Sequence, residues 1–120
     1  VFDKLTQLDR VLELGGNKLP SLAVGVFDSL TKLKSTLYLY SNELTSLPVG
    51  VFDKLTLLTA DLHLDKNQLP SLPLRVFDHQ TLLFRLHLHE NKLTSLPGGV
   101  FDKMALLTGQ LTLYGSSQGG

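Results

Sequence analysis

Cysteine is absent from all 120 residues, which excludes disulfides, thiol chemistry and cysteine metal sites and leaves the redox compartment undetermined. An excess of charge of either sign is also absent. Eleven acidic residues balance eleven basic ones, so the chain carries no electrostatic footprint for nucleic acid or for an anionic membrane. Hydrophobic residues make up 42% of the sequence, yet no run approaches the roughly 18 apolar residues that a membrane span needs. The sequence opens on no charged leader with an apolar stretch and cleavage site, so no targeting segment is expected. Neither nucleic acid nor membrane is expected as a partner.

What the chain has in abundance is repetition. VFDKLTQL at Val1, VFDSLTKL at Val26, VFDKLTLL at Val51, VFDHQTLL at Val76 and VFDKMALL at Val100 recur at spacings of 25, 25, 25 and 24. Asn17, Asn42, Asn67 and Asn91 keep the same beat, each inside an LxLxxNxL string. A fixed period of this length marks a solenoid, in which each unit buries its apolar face only against its neighbours. Five units over residues 1–114 form one domain of ordinary size, and 115–120, Gly115-Ser-Ser-Gln-Gly-Gly, read as a flexible linker or expression remnant.

The second unit shows how one turn of the coil is expected to run. Asp28, ahead of Ser29-Leu30-Thr31, is placed to cap a short helical or 3-10 turn on the convex side. Leu37-Tyr38-Leu39-Tyr40 alternates as a half-buried strand does. Leu44 and Leu47 return to the interior, and Pro48 with Gly50 turns the chain toward the next VFD. Stacking then gives one parallel sheet with strands about 4.8 Å apart, an inward ladder of Phe2, Phe27, Phe52, Phe77 and Phe101, and asparagines that satisfy buried backbone groups rather than a ligand. The expected fold class is an α/β solenoid, a horseshoe with a parallel concave sheet of short strands and a convex side of loops and short helical or 3-10 turns.

These strings resemble the leucine-rich repeat, LxxLxLxxNxLxxLPxGVFDxLxx. The wording LTSLPVGVFDKLT and NKLPSLAVGVFDSLT is similar to the variable lymphocyte receptors of jawless vertebrates. The resemblance covers Val1 to about Tyr114 and implies an extracellular horseshoe that binds protein or glycan antigen on its concave sheet. The chain departs from that pattern in lacking cysteine-bearing caps and in one extra residue before most strands. Three residues separate the leucines at Asp9-Arg10-Val11, Lys34-Ser35-Thr36, Thr59-Ala60-Asp61 and Thr108-Gly109-Gln110, and only Phe84-Arg85 keeps two. A slip of one residue would reverse the sheet's faces, so a bulge or wider corner is expected at the strand entrance. These departures suggest an engineered derivative. Its open ends would expose part of Leu5, Leu8, Leu12 and Leu14 on one side and Met104, Leu107, Leu111 and Leu113 on the other, inviting homo-oligomers.

Alternation places three rows of non-leucine residues on the concave face: Val11, Thr36, Asp61, Arg85 and Gln110; Glu13, Tyr38, His63, His87 and Thr112; Gly15, Tyr40, Asp65, His89 and Tyr114. Tyrosine brings large rigid contact area with one hydroxyl. Tyr38, Tyr40, Asp61, His63, Asp65, Arg85, His87, His89 and Tyr114 are therefore the candidate ligand-binding patch. His63, His87 and His89 with Asp65 have the donors for zinc, but no surrounding shell is evident from sequence, so neither metal nor other cofactor is expected. His63 with Asp65 could orient a base, yet no nucleophile, phosphate loop or enclosed cleft accompanies the pair, and no enzyme is expected. Two functions follow: a recognition module with a concave binding face, or a self-assembling structural repeat protein associating through its ends.

Overall fold

The computed structural model describes residues 10–107 and 111–112. Five short strands, β1 (Val11–Glu13), β2 (Thr36–Tyr38), β3 (Asp61–His63), β4 (Arg85–His87) and β5 (Leu111–Thr112), form one sheet in chain order, every neighbour parallel. The register aligns the central leucines, Leu12, Leu37, Leu62, Leu86 and Leu111, across all five. With Leu12, Leu37, Leu62 and Leu86 buried, the flanking residues of β1, β3 and β4 are the more exposed ones, as the period of two requires.

The extra residue is absorbed at the strand entrance without a slip. Between the first two units the amides of Ser35 and Thr36 both donate to the Arg10 carbonyl, at 3.0 and 3.1 Å. Two consecutive donors on one acceptor make a local bulge. Farther along, the inserted residues lengthen the ladder instead: Thr59 donates to Lys34 at 2.8 Å and Ala60 to Ser35 at 3.0 Å.

The convex side departs from the short helical or 3-10 turns expected from the sequence; among the described residues it carries isolated turns and neither a helix nor a 3-10 segment. Its hydrogen bonds are staggered four-residue turns, Val26 to Ala23, Asp28 to Gly25 and Leu30 to Phe27, not the consecutive series a helix needs. The corner ahead of each VFD explains this. Val51 donates to Pro48 at 3.2 Å with Gly50 at φ +74°, a type II turn whose third residue must be left-handed. Gly25 and Gly99 hold the same place at +75° and +70°. Arg75 stands there in the fourth unit at φ +61°, and a side chain in that conformation carries strain on the order of 1 kcal/mol.

Phe27, Phe52 and Phe77 are fully buried and Phe101 partly so, stacked with centroids 6.2 to 6.3 Å apart and planes within 14° of parallel. That spacing exceeds the roughly 4.8 Å between strands, so the units fan outward from the sheet and the coil curves. Phe2 lies outside the described residues. The asparagines build the expected ladder. Asn42 accepts from the amides of Asn17 and Leu19 and donates to the carbonyls of Leu14 and Leu39, all at 3.0 Å.

Two residues expected to be partly exposed at the ends, Leu12 and Met104, are buried instead, at 7% and 4% exposure, while Leu14 and Leu107 are partly exposed and pack against the core with the rest of their surface. Leu5, Leu8 and Leu113, and the side chain of Leu111, fall outside the described set.

Candidate functional site

The register delivers two of the three concave rows as alternation requires. Val11, Thr36, Asp61 and Arg85 are paired neighbours, as are Glu13, Tyr38, His63, His87 and Thr112. The third row begins with Gly15, whose lack of a side chain has a use. An ideal Cβ there would lie 2.4 Å from the Tyr40 ring, so only glycine lets Tyr40 lie across the first unit. The Tyr40 hydroxyl donates to Glu13 Oε2 at 3.3 Å, and the Glu13 charge raises the phenol's pKa above its ordinary value, with burial adding to it. Thr36, expected on the open face, is buried and pairs with the Ser35 hydroxyl at 3.2 Å. Tyr114 and Gln110 lie outside the described residues.

Rings run continuously over the middle of the face. Tyr38 stacks on His63 with centroids 4.8 Å apart, His63 stacks on His87 at 4.0 Å and 5°, and Tyr40 meets both Tyr38 and His63 edge-on. His89 closes the series edge-on to His87. The concave spacing of 4.0 Å against the convex 6.2 Å is the same curvature seen from inside: side chains crowd where the arc is tighter.

Two carboxylates fasten the rings. Asp61 is the hub, with Oδ2 3.2 Å from His63 Nε2 and 3.4 Å from His87 Nε2, while Oδ1 accepts from Arg85 Nε at 2.9 Å. Asp65, itself buried, stands 3.4 Å from His63 Nδ1 and 3.5 Å from His89 Nε2. The electrostatics sort the two stacked imidazoles. Burial alone would depress His63, but hydrogen bonds and charge from Asp65 and then Asp61 override it and raise its pKa. His87 moves the other way, lowered by burial and by the neighbouring His63, with Asp61 opposing only in part. Burial would raise Asp65, yet the His63 hydrogen bond, a backbone hydrogen bond and the charges of His89 and His63 hold it below the usual carboxylate range. The two stacked imidazoles therefore shift in opposite directions, His63 toward its protonated form and His87 away from it.

Sequence reasoning brought together Tyr38, Tyr40, Asp61, His63, Asp65, Arg85, His87 and His89, and the structure places all eight in one contiguous patch. It missed Asp61 as the centre of the histidine cluster; the available signal was its place two residues before His63, hence on the same face of β3. Glu13 and Gly15, which set the position of Tyr40, were legible in the rows but not singled out. His79 stays on the convex side, 3.9 Å from Asp53.

Comparison with known proteins gives the same architecture. The leucine-rich repeat family model matches residues 59–113. Among solved structures, the leucine-rich repeat domain of APL1B matches with a TM-score of 0.82 at 29% sequence identity, over 88% of this chain and 30% of that one. The chain thus spans less than a third of the length of that domain's chain. No curated protein matches the sequence.

Proposed function

We propose that this leucine-rich repeat solenoid is a non-catalytic recognition module whose concave sheet takes a protein ligand. The observation that carries the reading is the ring-covered patch on a rigid parallel sheet. Its outward residues change from unit to unit while the leucines beneath do not. Tyr38, Tyr40, His63 and His87 offer stiff amphipathic contact area at small entropy cost, Asp61 and Asp65 hold the rings in place beneath that surface, and Arg85 offers charge for orientation. The fold alone does not name a ligand. An antigen-binding role, as the VFDKLT strings imply, is the finer form of the same proposal, with glycan as the other ligand class.

The test uses binders selected from a displayed protein library against the folded chain. Tyr38→Ala with Tyr40→Ala should weaken most of them by about 100-fold or more, two buried aromatic contacts at about 2 kcal/mol each, while the far-UV spectrum stays unchanged. Binders that ignore this double variant and respond instead to Leu74→Glu on the exposed convex turn would overturn the proposal.

A further inference from the structure

We propose that Asp61, His63 and His87 form a binding site for a divalent first-row transition metal, zinc foremost. One donor atom from each of the three lies within 4.8 Å of the others. The two histidine Nε2 atoms approach Asp61 Oδ2 to 3.2 and 3.4 Å, and ligand atoms on a tetrahedral zinc at the usual bond lengths of about 2.0 to 2.2 Å stand about 3.3 to 3.6 Å apart. Two imidazoles and one carboxylate are a donor set suited to zinc, with one position left for water.

The surrounding shell that the sequence could not show is also in place. When an ion displaces the His63 Nε2 contact to Asp61, the ring proton moves to Nδ1, and Asp65 Oδ1 already stands 3.4 Å from that nitrogen; a carboxylate behind a ligating histidine is the common arrangement at zinc sites. Arg85 holds Asp61 through Oδ1 at 2.9 Å and leaves Oδ2 turned to the histidines. With both aspartates ionised, Arg85 charged and the imidazoles neutral, these five residues carry one net negative charge, which favours a cation. The rings lie 5° from parallel. Capture of the ion therefore needs a turn about χ2 to bring the two lone pairs together, and that torsion has a broad well. His89 is not in the set: its Nε2 faces Asp65 at 3.5 Å.

Titration calorimetry of the whole chain with zinc chloride tests the site, with histidine nitrogen resonances followed by NMR in the same samples. The expected result is one saturable ion per chain, with the Nε2 signals of His63 and His87 shifting together and those of His79 unmoved. His87→Ala and Asp61→Ala should each abolish saturable binding, and His79→Ala should leave it intact. Asp65→Asn, which removes only the carboxylate behind His63, should weaken affinity by about 10- to 100-fold. The wild-type spectra need no variant to fold. Absence of saturable binding, or an ion that shifts other histidines and leaves His63 and His87 in place, overturns the proposal.

Discussion

Asn67→Ala lowers the stability of the chain by about 2 to 4 kcal/mol, most of it from a single orphaned amide. Asn67 is 5% exposed, and its Oδ1 accepts from the Leu44 amide at 3.1 Å while Nδ2 donates to the carbonyls of Leu39, Leu64 and Asp65. The carbonyls are not all lost with it. Leu39 keeps a bond from Asn42, Leu64 keeps one from Asn91, and Asp65 keeps one from the Ser41 amide. The Leu44 amide, by contrast, loses the amide oxygen that served it inside the core, and an unsatisfied buried donor costs about 1 to 3 kcal/mol. Thinner service to three carbonyls and the vacated volume supply the rest. For a chain of this size that is about 10 °C or more in Tm. Asn17, exposed and, among the described residues, bonding the nearby Leu14 and Gly15 carbonyls with its Nδ2, is the comparison. Asn17→Ala should cost less than about 1 kcal/mol. Equal Tm values for the two variants in thermal unfolding would contradict a ladder that gains strength inside the stack.

Phe52→Ala costs about 3 to 5 kcal/mol, the range for deleting a buried phenylalanine. Its ring is fully buried between Phe27 and Phe77, 6.3 and 6.2 Å away. A solenoid unit has no core except the one it shares with its neighbours, so the cavity loosens three units at once. Phe84 tests the specificity of this claim. It is 44% exposed, with the Arg85 guanidinium 5.7 Å from its ring centroid, and Phe84→Ala should change stability by no more than about 0.5 kcal/mol. Denaturant unfolding of both variants checks the contrast, and comparable losses would mean that the phenylalanine ladder is not the convex core.

Much of this was legible in the sequence because the repeat imposes one answer on every unit. The positions of Leu37, Leu62 and Leu86, the amide ladder and the concave rows all follow from a period of two inside a period of 24 to 25. What the period does not fix is local. Gln80 replaces the leucine of the KLT string and is fully buried, donating to the Phe52 carbonyl at 2.6 Å; a broken string gave no sign of that bond. Arg75 adopts the left-handed corner that Gly25 and Gly50 take in other units, since the turn on either side of it prevails over the residue's own preference. The isolated turns of the convex side were not foreseen, since the sequence suggested short helical or 3-10 turns and none forms among the described residues. At the site, row membership came from alternation, but the choice of Asp61 over His89 as a partner of His63 and His87 depends on side-chain torsions. Sequence carries no record of those.

The most direct test of the concave face as the recognition surface is a hydrogen-exchange footprint of the chain with and without a selected protein binder. The expected result is slowed exchange concentrated in peptides spanning β2, β3 and β4 and the residues just after them, through Tyr40, Asp65 and His89. Protection centred instead on the convex turns around Val49, Leu74 and Arg75, with the strands unchanged, would contradict the account.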